Sequence, residues 1–181
     1  MTKKIVVITS SPRKNGNTFA MTDAFIQAAQ AKGHNVKRFD SAFMNITGCR
    51  ACEACYKTGK PCAFNDDFNL IVPAIQDADG IVFTAPVYWF TMPAQLKAVI
   101  DKFFAFYTAQ MDLSGKEYAI ISSAEFTDTS IMDGLKLPID KTAEALGWRK
   151  VGEVLVTGVL DAGAVCSTDG CQKAAALADK F

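Results

Sequence analysis

The chain has 181 residues, half of them apolar, and its 19 basic and 19 acidic side chains balance to a formal net charge of zero. That length and composition fit a single domain, 1–181, with a sizeable core, and argue against disorder or a polyanionic partner. No basic cluster marks a nucleic-acid partner, and no apolar run approaches the roughly 18 residues of a membrane span.

Met1-Thr2-Lys3-Lys4 leads straight into a strand-like run too short for a signal-peptide core, so the expected setting is cytoplasmic. Residues 3–10, KKIVVITS, read as a buried strand rich in β-branched side chains. Met21, Ala24, Phe25 and Ala28 then repeat at helical spacing, with Lys32-Gly33 as the stop. A second, alternating strand is NVKRFD, 35–40. Residues 41–65 look irregular, and Asn65-Asp66-Asp67 offers caps for a helix carrying Leu70, Ile71 and Ala74. GIVFTAP, 80–86, is a third strand. Leu96, Val99, Ile100, Phe103 and Tyr107 after it predict one apolar helix face. EYAIISS, 117–123, is the fourth strand; Ile139, Ala143 and Leu146 mark a helix ending at Gly147; KVGEVLVTG, 150–158, is the fifth strand; and an Ala-rich helix follows Ser167.

Strands alternating with helices predict an α/β fold with a five-stranded parallel sheet and helices on both faces. Right-handed crossovers make flavodoxin-like order the natural one for five strands.

In such a sheet ligands bind beyond the carboxyl ends of the strands. The loop there after the first strand is SSPRKNGNT, 10–18, opening into a helix whose first N–H groups lack partners and carry positive partial charge. It reads as an anion site, phosphate above all, or else as a connection serving only as a helix cap. Ser11, Asn17 and Thr18 can donate hydrogen bonds, Gly16 allows a close turn, and Arg13 can neutralise charge. The loop lacks the Gly-Lys-Ser/Thr of a nucleoside triphosphate site and the G-x-G-x-x-G of a dinucleotide site, which leaves a phosphate monoester and makes FMN the leading ligand.

Four of the six cysteines fall within 49–62, as Cys49-x2-Cys52-x2-Cys55-x6-Cys62. The cytosol disfavours structural disulfides, and four soft thiolates suit a 4Fe-4S cluster or tetrahedral zinc. Tight x2 spacing favours the cluster, since structural zinc usually draws two C-x2-C pairs across a longer gap; unmetallated thiols are the third reading. Cys166 and Cys171 show no partner pattern and read as small buried residues or redox-sensitive thiols. His34, the only histidine, reads as a solvated turn residue, and Lys97 and Asp101 as a surface ion pair.

SSPRKNGNT resembles the phosphate loop of the NAD(P)H-dependent FMN reductase and iron–sulfur flavoprotein family. APVYWFTMPAQLKAVIDKF, 85–103, resembles its Pro-Val-Tyr segment and following helix, and GCRACEACYKTGKPCAFNDDF, 48–68, resembles its cysteine-bearing loop. The three motifs stand in order over roughly the first 105 residues. The resemblance implies FMN phosphate on Ser11, Arg13, Asn17 and Thr18, and ribityl chain and ring near Pro86, Val87, Tyr88, Trp89 and the segment Ser122, Ser123 and Ala124. It implies cluster ligation by Cys49, Cys52, Cys55 and Cys62, and no side-chain acid or base. Two departures are Ser10, where many relatives have Gly, and SSAEF, 122–126, in place of a Gly-rich loop. For Phe90 the expected role is core or interface packing.

The function so implied is an FMN-dependent oxidoreductase or electron-transfer flavoprotein in which the cluster exchanges electrons with FMN, with a ferredoxin-like protein as donor. The alternative is an NAD(P)H-dependent FMN or quinone reductase without a cluster, in which NAD(P)H stacks on the flavin and reduces it, and a quinone or free flavin is the acceptor. The resemblance also implies a homodimer or higher oligomer. A non-enzymatic alternative is a flavodoxin-like regulatory module or a zinc-stabilised binding module.

Overall fold

A computed structural model describes residues 1–181. Five parallel strands, β1 (Lys4–Thr9), β2 (Asn35–Asp40), β3 (Gly80–Pro86), β4 (Glu117–Ser123) and β5 (Arg149–Val156), stand in the order β2-β1-β3-β4-β5. This is the flavodoxin-like order expected from the alternation of elements. β1, β3 and β4 are the inner strands, and their apolar runs are buried throughout, whereas edge strand β2 alternates.

Helices α1 (Asn17–Ala31) and α6 (Gly170–Leu177) cover one face, packing Met21, Phe25, Ala174 and Leu177 over Ile5, Val7, Val82 and Ile121. On the other face lie α2 (Phe68–Asp77), α3 (Ala94–Asp101), α4 (Phe104–Thr108) and α5 (Asp133–Ala145). They bury Phe68, Ile75, Leu96, Phe106 and Ile139 over Val6, Ile8, Phe83 and Ile120. Two large apolar layers enclosing a strand-rich centre fix the sheet, and with it the level at which all five strands end.

Three local expectations change. The buried face of α2 is Phe68, Ile71, Val72 and Ile75, which turns Leu70 outward. The helix expected to run from Leu96 to Tyr107 is two helices. Between them Lys102 N–H donates to Val99 O, Phe103 N–H to Ile100 O and Phe106 N–H to Phe103 O, the tighter i→i+3 pattern. That tightening carries Phe106 rather than Tyr107 onto the core face beside Phe103, and Tyr107 is left 79% exposed. Nor is His34 simply solvated: its Nδ1 accepts from the Lys3 N–H at 3.1 Å. Lys97 and Asp101 do form an exposed pair, at 2.5 Å.

Candidate functional site

Four loops meet beyond the carboxyl ends of β1, β3, β4 and β5 around a cavity of about 410 Å3. The first is the β1–α1 loop. Gly16 donates its N–H to Arg13 O at 2.9 Å, and a Cβ on Gly16 would stand 3.0 Å from that same oxygen, so a side chain there would have to push the turn open slightly. Ser11 Oγ accepts from the Arg13 N–H at 3.3 Å and tightens the turn. No side chain caps α1, and no acidic residue lies in its first turn. The positive end of a 15-residue helix therefore opens toward the cavity with Arg13 beside it.

Thr18 and Asn17 are already engaged. Thr18 Oγ1 and Ser123 Oγ lie 2.7 Å apart, joining α1 to the end of β4. Asn17 Nδ2 donates to Val159 O at 3.2 Å and to Asp161 O at 2.9 Å, while its Oδ1 accepts from the Val165 N–H at 3.1 Å. Both amide donors are thus spent on the loop after β5. Asn17 lines the cavity as expected, and in this structure its side chain braces the wall formed by the loop after β5.

The second loop follows β3. Val87 N–H donates to Ser123 O at 3.1 Å; Tyr88 and Thr91 exchange backbone bonds of 2.9 and 3.1 Å. The turn so closed holds Trp89 and Phe90 at φ 46° and 64°, left-handed geometry that side chains of this size adopt only under constraint. The constraint comes from α5, where a Cβ on Gly134 would stand 2.0 Å from Phe90 O and Thr91 Oγ1 donates to Gly134 O at 2.8 Å. Pro86, Val87, Tyr88 and Trp89 line the cavity, and Trp89 is 91% exposed. Phe90 is no core residue: it stands half out of the protein, stacked on Phe126 with ring centres 6.2 Å apart.

After β4, Ser123 and Ala124 line the cavity and Ser122 does not. Strand alternation sends the Ser122 hydroxyl into the interior, where it has no protein partner, in common with Thr9, Ser10 and Thr84 at neighbouring strand ends. The lining that sequence reasoning missed is Glu125, next to Ala124, and Val159, Leu160 and Ala162 after β5. The latter three carry no polar motif, and the signal that places them is the hydrogen bonding of Asn17 across more than a hundred residues.

All four cysteines of the irregular loop line a second, separate cavity together with Phe68, Lys102 and Ala105. Cys49 and Cys52 are exposed, Cys55 and Cys62 half-buried, and no three of the sulfurs are drawn together as ligands for one ion. Gly48 to Glu53 make no backbone-to-backbone hydrogen bond, and Ala51, Glu53 and Tyr56 sit at φ 51°, 51° and 60°. Burial pushes the Cys55 thiol up; a hydrogen bond from Thr108 opposes this, and the neighbouring cysteines add to it.

The neck of this loop is well ordered. Asn45 and Asp67 are doubly bonded, through Asn45 N–H to Asp67 Oδ2 at 2.7 Å and Asp67 N–H to Asn45 O at 3.0 Å. Asp66 accepts from the Thr47 N–H and Oγ1 at 3.0 and 3.1 Å and from the Phe68 N–H at 2.9 Å. Its other partner is Lys102 Nζ at 2.7 Å, which also donates to Cys62 Sγ at 3.4 Å. Burial disfavours charge on both members of this pair, yet each other's charge and hydrogen bonds prevail, holding the Asp66 carboxyl below its ordinary value and Lys102 above it. Cys166 and Cys171 are also neighbours: burial, then the nearby Cys166 thiol, raises Cys171. The sequence spacing had shown no such pairing.

A flavodoxin-like sheet with an open helix end and a cavity across its strand ends defines a class of proteins built to hold a phosphorylated cofactor. Residues 3–130 match the NADPH-dependent FMN reductase family, and the chain belongs to it. An iron-sulfur flavoprotein of Methanosarcina thermophila is 35% identical over 99 residues, covering 55% of this chain and 51% of that protein. An iron-sulfur flavoprotein of Archaeoglobus fulgidus is 34% identical over 108 residues, 60% of this chain and 54% of that one. The chain spans about half the length of the curated relatives it matches. An NAD(P)H:quinone oxidoreductase from Methanothermobacter marburgensis has the same fold, with a TM-score of 0.79 at 18% identity over 99% of this chain and 96% of that one.

The residues present fit the groups that this family and these relatives bring to mind. For FMN, the uncapped helix end and Arg13 suit a phosphate, and Val87, Trp89, Val159 and Leu160 supply apolar surface for a ring. For an iron–sulfur cluster the fit lies in the chemistry of the donor set, four soft thiols on one loop. The space between them is only about 20 Å3, so holding the group would require Gly48 to Glu53, which make no backbone-to-backbone hydrogen bond, to move.

Proposed function

We propose that the protein is an FMN-dependent electron-transfer oxidoreductase whose cysteine loop carries a 4Fe-4S cluster. The flavin half of this reading rests on one observation: α1 starts at the cavity with no capping side chain, no acidic first turn and Arg13 alongside. Bound there, FMN supplies two-electron hydride chemistry and one-electron transfer, which no side chain of the protein can supply. The backbone N–H groups of the first turn and Ser11 bind its phosphate, Arg13 offsets the charge, and Pro86 to Trp89 with Ala124 orient the ring. No proton-transferring side chain is assigned.

Support for the cluster comes from Cys49, Cys52, Cys55 and Cys62 lining one cavity without converging on a point. Several irons, each taking one thiolate, suit that spread better than one ion with bonds of roughly 2.3 Å. A ferredoxin-like protein is then the electron partner. The family match favours the second reading, an NAD(P)H-dependent reductase passing electrons to a quinone or free flavin, with thiols left unmetallated. In both readings a second copy of the chain covers the exposed Trp89, Phe90 and Phe126. No helix is long and apolar enough to cross a membrane.

The test is the absorption spectrum and iron content of protein purified and reconstituted without oxygen. Flavin bands, a broad brown shoulder and about four irons per chain are expected. Flavin bands without iron leave the reductase reading. Failure to bind FMN on titration overturns both.

A further inference from the structure

Lys102 is a lysine where the fold has little use for one. Its side chain is 4% exposed and that of Asp66 2%, so the pair is desolvated on both sides. A buried ion pair gains little or nothing over an apolar pair of the same volume, so stability alone does not account for it. What distinguishes this pair is where its two charges stand. Lys102 lines the cysteine cavity and donates to Cys62 Sγ, while Asp66 lies outside the lining, tied to Thr47 and Phe68 at the two ends of the loop. The carboxylate therefore fixes the ammonium in place, and the ammonium presents its charge to the sulfurs.

We propose that Lys102 is a positioning residue for the centre held by the cysteines: a buried cation, anchored by Asp66 and bonded to Cys62 Sγ, that raises the reduction potential of a cluster bound there. The inference rests on the cluster reading above. Hydrogen bonds to ligand sulfurs and the net charge around the site are the protein's main controls on iron–sulfur potentials, and second-neighbour partners orient the ligands themselves. A positive charge favours the state that has gained an electron, and a low-dielectric surrounding strengthens the effect. No proton need move at Lys102 for this.

The experiment is a redox titration, followed by the cluster's visible spectrum, of the full-length chain reconstituted with iron and sulfide without oxygen. Lys102→Met is expected to keep its iron and shift the potential to a more negative value. Lys102→Arg, which retains the charge, is expected to restore most of the shift. Asp66→Asn removes the opposing charge and leaves the lysine, and is expected to move the potential the other way. A purely structural pair would not give shifts of opposite sign. Iron-loaded Lys102→Met with an unmoved or more positive potential overturns the proposal. Where Lys102→Met does not fold or does not load iron, Asp66→Asn decides, and an unmoved or more negative potential in that variant overturns it. Wild-type protein that binds FMN but takes up no iron removes the cluster reading and this inference together. Retained iron with unmoved potentials removes the inference alone.

Discussion

Around the cavity at the strand ends every wall is tied to the sheet. Asn17 grips the loop after β5, Thr18 meets Ser123, and Val87 donates to Ser123. Across Gly48 to Glu53 there is no such ladder; the later part of the loop is held by its neck, by Lys102, by Asn69 on Cys62 and Phe64, and by Tyr56 against the core. The first region is organised by the fold before anything binds. In the second, the stretch with Cys49 and Cys52 is left without backbone bonds while the stretch from Ala54 to Phe64 is tied down. Preorganised sites bind without a large ordering cost, whereas a loosely tied loop pays that cost on binding and gains stability from its ligand in return.

The sharpest way to break this contrast is at the neck. Asp66→Ala strands the Lys102 ammonium in the interior and is expected to cost about 3–5 kcal/mol in urea unfolding, the usual penalty for orphaning a buried charge. A loss below about 1 kcal/mol would mean that the neck is not a fixed point, since even an ordinary hydrogen bond contributes that much. Asn17→Ala comes next. It removes three hydrogen bonds and leaves the Val165 N–H unpaired, for an expected loss of about 2–3 kcal/mol together with weaker FMN binding in fluorescence titration. Unchanged affinity would show that the wall after β5 does not contact the cofactor.

Arg13→Ala acts on the ligand rather than the fold. FMN affinity is expected to drop about tenfold or more, with riboflavin binding, which involves no phosphate, unaffected. An equal drop for both would move the phosphate away from Arg13. Trp89→Ala is the smallest: its side chain is almost wholly exposed, so the unfolding free energy of the monomer is expected to change by no more than about 0.5 kcal/mol. The same variant distinguishes interface from ring contact, because sedimentation reports the first and FMN affinity the second.

The same contrast explains what could be read from the residues in order. The strands and the first loop were legible because their signals are local: β-branched runs for β1, β3 and β4, and a Ser/Asn/Gly/Arg cluster leading into a helix. Lys102 was not, since a lysine between Val99 and Phe103 reads as the polar margin of an apolar helix. Its partner lies 36 positions earlier, at a place that reads only as a cap. The bracing role of Asn17 was not legible either, since the partners of its amide lie 142 and more positions away. Tyr107 was misplaced because helical spacing assumes an unbroken helix, and the i→i+3 turn at Lys102 shifts every later residue around the axis. Side-chain pairing over long separations leaves no periodic trace.

The doubly bonded Asn45–Asp67 neck also makes the intervening segment a cassette. Its two ends already meet, so the segment leaves and rejoins the fold at one point, even though Cys55, Tyr56 and Cys62 pack back against the core. Changes in length or sequence between those ends therefore fall on a loop closed at its own base, and the strands on either side keep their register.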